Sequence, residues 1–244
     1  MTYVELHAHS AYSFLDGASL PEELAARAAE LGYDTLALTD HDGVYGSLEF
    51  AQAAKAFGVR AITGAEVTLE EGRHVTLLCE TRRGYENLCR ILTDAHARTR
   101  AEGRERDLLP AATTVAFVAE HAEGLVCLSG CARQGLAVLD PNGAALLAQA
   151  FPGTFYVELQ RPYARGDARR NAALVELAPA GGEQLELVRA ARGQFESEVL
   201  QGRLKEGLRQ VKAAVGAGGV SMVVEVAPWS RIPEARALLV PRDD

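Results

Sequence analysis

Two histidines one residue apart, His7 and His9, stand near the start of the chain in Glu5-Leu6-His7-Ala8-His9-Ser10, and Asp16 follows closely. Tyr3-Val4-Glu5-Leu6 is rich in β-formers, so the pair falls at the end of a short strand. Side chains alternate faces along a strand, which points both imidazoles the same way, placed to grip one cation. A single histidine reads as a core or surface residue. A pair at this spacing, with a carboxylate downstream, reads as half a metal site. Groups of the same chemistry recur beside strand-like stretches: Asp40 and His41 after Thr35-Leu36-Ala37-Leu38-Thr39, Glu66 in the stretch 60–67, His74 after a polar turn, and Cys131 closing the stretch 125–131. Taken singly, His74 or Cys131 would be structural; their weight comes from convergence. Imidazole, carboxylate and thiolate all bind zinc, and the first two also serve manganese and iron. His7, His9, Asp16, His41, Glu66, His74 and Cys131 are too many for one ion, so the set implies a multinuclear site with a carboxylate such as Glu66 bridging. Two metals about 3.5–4 Å apart suit phosphate-ester hydrolysis: they polarise the phosphoryl oxygens and acidify a bound water, which attacks phosphorus in line.

The rest of the chain must position these groups. Ser19-Leu20-Pro21-Glu22 reads as a capping box opening a helix over 21–31, which Gly32 stops. A second helix is predicted over 47–57, ending at Gly58, and a third over 85–97. Strands are predicted at 35–39, at 60–67 and 74–79 about a Glu70-Glu71-Gly72-Arg73 turn, at 125–131 and at 155–160, with a helix over 167–177. Such alternation implies right-handed crossovers and a largely parallel sheet. The polar groups sit at strand C-termini, which converge on one mouth in a closed β/α barrel. An open doubly wound sheet would gather ligands at a switch point instead. No Gly-rich dinucleotide fingerprint or P-loop follows any strand, so the expectation is an α/β barrel.

Composition sets the outer bounds. The 244 residues, 48% of them hydrophobic, suffice for one large domain or two small ones. No apolar run can span a bilayer and no signal segment opens the chain. Cys79, Cys89, Cys127 and Cys131 form neither a CxxC pair nor a disulfide framework, so a cytoplasmic location is expected. Net charge is −8, and the first sixty residues set nine acids against three bases. That balance suits cations and lacks the electrostatic footprint for gripping nucleic acid unaided, although bound divalent metal would change it locally. The arginines at 98, 100, 104 and 106 are diluted by acids and read as a solvated loop. Arg161, Arg165, Arg169 and Arg170 read as a solvated helix start that could steer a phosphate; His96 and His121 read as surface residues, and Cys79, Cys89 and Cys127 as small core residues.

His7-Ala8-His9-Ser10, Ser13-Phe14-Leu15-Asp16-Gly17, Leu38-Thr39-Asp40-His41 and Gly64-Ala65-Glu66 resemble the successive motifs of the polymerase and histidinol phosphatase (PHP) family. The longer wording, with Leu128-Ser129-Gly130-Cys131 and Tyr156-Val157-Glu158-Leu159, is similar to the N-terminal PHP domain of bacterial polymerase III alpha subunits, the error-prone type above all, over about 3–178. The resemblance implies a distorted seven-stranded β/α barrel of TIM-like form with a trinuclear centre of zinc, manganese or magnesium. His7, His9 and Glu66 would then hold one ion, Glu66, His74 and Cys131 a second, and Asp16 with His41 a third, while Asp40 would orient its neighbours. It also implies hydrolysis of phosphate monoesters or removal of nucleotides from a DNA 3′ end, or in members without metals a scaffold, with replication and repair proteins as partners and no membrane. The chain is too short for a polymerase palm and fingers, so no DNA synthesis is expected from it alone.

The likeness stops after a predicted first unit at 1–178. The family places an Asp-x-His or Asn-x-His motif on a later strand to complete the first and third ions, yet this chain has no histidine beyond His121. Pro179-Ala180-Gly181-Gly182 opens a second unit, 179–244, with an amphipathic helix predicted over 194–215 and a strand over 221–226. Glu225 could replace a missing carboxylate, but a solvent-facing role is the simpler expectation. A fragment, a frame-shifted product and a divergent standalone member all accommodate such a tail.

Overall fold

The computed structural model describes residues 4–99, 109–131, 133–160, 169–172, 174 and 223–226, with the backbone alone at 160 and 223–226. The predicted helix over 194–215, Glu225's side chain, and Arg100, Arg104, Arg106, Arg161 and Arg165 lie outside the described residues. Among the described residues, seven strands form one curled sheet in sequence order: β1 (Glu5–Ala8), β2 (Thr35–Leu38), β3 (Arg60–Thr68), β4 (His74–Cys79), β5 (Leu125–Leu128), β6 (Phe155–Gln160) and β7 (Val223–Val226). β7 pairs in parallel with β6 and returns against β1, giving a distorted β/α barrel. The pairings are parallel except β3–β4 and β4–β5, because the tight turn after Leu69 reverses the chain. That reversal carries His74, the first residue of β4, to the same rim as the C-terminal ends of β2 and β3, opposite Thr68.

Period-two alternation sorts the strand residues into two layers. Leu36 and Leu38 of β2 face outward to Leu24, Ala25 and Ala28 of α1 (Pro21–Glu30) and to Phe50 and Ala54 of α2 (Ser47–Phe57). Ala65, Val67, Val75, Leu77, Leu125, Cys127, Phe155 and Val157 face outward to Leu88, Ile91 and Leu92 of α3 (Arg82–His96), to Val118 of α4 (Val115–Glu120), and to α5 (Leu136–Leu139) and α6 (Pro141–Ala150). Inside the barrel Ala37, Leu78 and Leu128 pack together with Leu6, Ile62, Val126 and Tyr156. The same inner face continues upward through Glu66, Thr76, His74 and Glu158, so an apolar floor carries a polar mouth.

Local signals explain most boundaries. α2 ends at Gly58, which takes the left-handed φ of +72° that a side chain would resist. α1 begins at Pro21 as predicted, but its capping box lies one residue beyond Ser19–Glu22, with Glu23 accepting the Leu20 N–H at 2.8 Å. α3 starts at Arg82 rather than 85, because the Thr81 hydroxyl accepts the Gly84 N–H at 3.1 Å. No described helix is long and apolar enough to cross a membrane.

Candidate metal centre

The mouth is built around Glu66, whose side chain is 8% exposed. Its Oε2 lies 2.9 Å from His7 Nε2 and 3.7 Å from His9 Nε2, while its Oε1 lies 3.1 Å from His41 Nδ1 and 3.5 Å from His74 Nδ1. Four imidazoles from three parts of the sheet therefore share one carboxylate. His7 Nε2 and His9 Nε2 stand 3.0 Å apart. Two nitrogens bound to one zinc at 2.0–2.1 Å would stand roughly 3.3 Å apart in a tetrahedral set, so the pair is spaced as ligands of a common cation. Among the described residues two groups converge closely enough for this, His7–His9–Glu66 and His9–Asp16–His41. Two imidazole nitrogens and a carboxylate oxygen fit zinc or manganese better than magnesium, which prefers oxygen.

Asp16 reaches the site on the loop between β1 and α1, with Oδ2 2.5 Å from His9 Nδ1 and 3.2 Å from His41 Nε2. That loop is fastened from below. Asp40, 1% exposed, accepts the Ser10 N–H and the Ser13 hydroxyl through Oδ1, each at 2.7 Å, and the Ser10 hydroxyl through Oδ2 at 2.8 Å. Gly17 passes so close to the Ser10 carbonyl that any Cβ there would collide with it. Asp42 steadies the next loop by accepting the Thr68 N–H at 2.7 Å, while its own N–H donates to the Glu66 carbonyl at 2.8 Å.

His74 and Cys131 sit at the far side. The Cys131 N–H donates to His74 Nε2 at 3.1 Å, leaving Nδ1 turned to Glu66, and Glu66, His74 and Cys131 are not among the closely converging donor groups of the described residues. Cys131 Sγ accepts the N–H groups of Arg133 and Gln134 at 3.4 and 3.3 Å. Burial pushes its thiol up, but the bond and charge of His74 together with the N–H groups of Gln134 and Arg133 bring its pKa below the ordinary value.

One residue at the mouth was not singled out by sequence reasoning. Glu158, fully buried on β6, places Oε1 2.7 Å from His7 Nδ1. Its signal was present in Phe155-Tyr156-Val157-Glu158-Leu159, where a lone carboxylate in an apolar strand needs a partner. Burial alone would lower the pKa of His7, yet Glu158 and Glu66 hold it well above the ordinary value. His9 goes the other way, lowered by burial and by the positive charge of His7 and His41 despite its bond to Asp16. Glu66 overcomes burial through bonds from His41 and His7 and stays well below the carboxylate range. His41 is raised to about 9, chiefly by its bond to Glu66, and Asp16 is lowered to about 2, chiefly by its bond to His9. His96 and His121 lie apart from this cluster, bonded to the carbonyls of Asp42 and Phe117 at 2.7 and 2.8 Å.

A β/α barrel with a histidine–carboxylate mouth is one class of fold and site, and comparison with known proteins gives it a family. The PHP domain model matches residues 5–162, so this chain belongs to the PHP domain family. It is 39% identical over 201 residues to an error-prone DNA polymerase of Symbiobacterium thermophilum, an alignment covering 75% of this chain and 18% of that protein. It is 38% identical over 229 residues to an error-prone DNA polymerase of Mycobacterium bovis, covering 87% of this chain and 20% of that one. The chain thus spans about a fifth of the length of these relatives. Among solved structures, a Bifidobacterium adolescentis protein provisionally assigned as a metal-dependent phosphoesterase superposes with a TM-score of 0.50 at 14% identity, over 71% of this chain and 82% of that one, a likeness of fold.

Proposed function

We propose that this chain carries a metal-dependent phosphoesterase domain of the type found in error-prone DNA polymerases, acting on phosphate esters, a nucleic-acid 3′ end among them. The observation that carries the reading is Glu66, one buried carboxylate with a pair of imidazoles at each oxygen. His7, His9 and Glu66 would hold one divalent ion, Asp16 and His41 another, and His74 with Cys131 a third. When bound, such ions supply Lewis-acid charge to a phosphoryl oxygen and lower the pKa of a water. The chain's own residues set the geometry. Asp40 locks the loop that presents Asp16, and Asp16, with 59% of its side chain exposed, marks the open side through which a phosphate would enter. The acidic surface would repel a polyanion until the ions are in place, which makes nucleic-acid binding depend on metal. We also infer a cytoplasmic setting with replication or repair proteins as partners.

The test is metal content by mass spectrometry paired with hydrolysis of bis-(p-nitrophenyl) phosphate, before and after His7→Ala. Bound zinc or manganese is expected in the wild type, with activity falling roughly 100-fold or more in the variant, since loss of even an outer partner of a ligand costs 10–100-fold. A second reading, a non-catalytic PHP module that braces the rest of a polymerase, is favoured by the failure of Glu66, His74 and Cys131 to converge as one donor group among the described residues and by the absence of histidine after His121. Protein without bound metal or activity would leave that reading alone.

A further inference from the structure

We propose that Glu158 is a positioning residue for the metal centre, fixing the ring of His7 so that its Nδ1 carries the hydrogen and its Nε2 faces the ion. This rests on the metal-binding part of the function proposed above. An imidazole binds a cation through one nitrogen only, and which one is free depends on what holds the other. His7 has a buried carboxylate at each end: Glu158 Oε1 lies 2.7 Å from Nδ1, and Glu66 Oε2 lies 2.9 Å from Nε2. The two are not equivalent. Glu66 belongs to a converging donor group, whereas Glu158 belongs to none among the described residues.

Glu158 is itself braced. The Thr76 hydroxyl lies 3.5 Å from its Oε2 and 3.3 Å from His7 Nδ1, and the Ser129 hydroxyl accepts the Glu158 N–H at 2.9 Å. Both flanking hydroxyls are fully buried, as is the Glu158 carboxylate. A carboxylate so enclosed cannot meet substrate, and its contact with the site runs through His7. It also joins β6 to β1 beside the line where β7 returns against β1, so the same bond that orients His7 holds the barrel mouth together.

The experiment titrates manganese or zinc into metal-free full-length protein by calorimetry, for the wild type, Glu158→Gln and Glu158→Leu, with circular dichroism and thermal melting of each metal-free form. Glu158→Gln keeps the volume but loses the charge, and Glu158→Leu loses the acceptor as well. Affinity at the tightest site is expected to fall roughly 10–100-fold, more for leucine than for glutamine, with metal-free Glu158→Gln still folded. Ring ¹⁵N shifts of His7 in the zinc-loaded wild type should show hydrogen on Nδ1 and metal on Nε2. If Glu158→Gln takes up metal as tightly as the wild type while only its melting temperature moves, Glu158 is purely structural and the proposal is overturned. Zinc on His7 Nδ1 would overturn it equally. Weakened uptake by the variants, beside a wild type that binds metal but hydrolyses no phosphodiester, would keep this proposal and sink the phosphoesterase reading, whereas a wild type that binds no metal would sink both.

Discussion

At Glu66 four imidazoles compete for one carboxylate, and in the metal-free protein that competition is settled by protons. His41 is raised to about 9 by its bond to Glu66, and His7 is raised in the same direction. A histidine whose folded pKa exceeds its unfolded value of about 6.5 adds stability that is complete below that value and lost as pH rises through the folded one. Chelated protein should therefore lose melting temperature between about pH 6.5 and 9. Asp16, lowered to about 2, has the opposite sign: its contribution is present above about 3.9 and disappears as pH falls towards 2. Ligand histidines must shed their protons to bind a cation, so metal affinity should climb across the same alkaline window. Melting curves with and without chelator check both slopes. A chelated protein whose melting temperature is flat or rising from pH 6.5 to 9 would contradict the ion-pair network.

At the scale of elements, the loops at the mouth matter as much as the strands. Gly17→Ala should force the loop off the Ser10 carbonyl and carry Asp16 away from His9 and His41, weakening metal binding far more than a surface substitution would. Gly58→Ala is the control. It meets no atom within 4 Å, so its cost is the left-handed backbone alone, about 1–2 kcal/mol, with metal affinity unchanged. These elements also show what the sequence could reveal. His7 and His9 announce themselves through strand periodicity and spacing, and the Gly58 stop of α2 through glycine's freedom. His74 is harder, because its place depends on β4 running against its neighbours, and a polar turn does not say which rim the next strand begins at. Glu158 was passed over because alternation in a short strand does not reveal which face is inner or what waits there. α6 begins at Asp140-Pro141, where Asp140 accepts the Gly143 N–H at 2.9 Å; that start signal was legible but lay in a stretch read without elements.

At the scale of the whole molecule, the barrel separates stability from chemistry. Leu77, fully buried on β4, faces the outer layer, while Leu78 beside it faces the interior. Leu77→Ala should cost about 2–5 kcal/mol in chemical denaturation and leave metal affinity within a few-fold, because the lost methyls lie on the face turned away from Glu66. The apolar floor below the mouth gives Glu66 and Glu158 surroundings of low dielectric, in which each needs its histidine partners. The family likeness covers 5–162, and within it the histidines and carboxylates that converge lie at one end of the barrel.

The measurement closest to the central claim is anomalous diffraction at the zinc and manganese edges from crystals grown with each metal. A peak is expected within coordination distance of His7 Nε2, His9 Nε2 and Glu66 Oε2, and a further one beside Asp16 and His41. Crystals that hold the metal elsewhere, with no anomalous density beside Glu66, would contradict it.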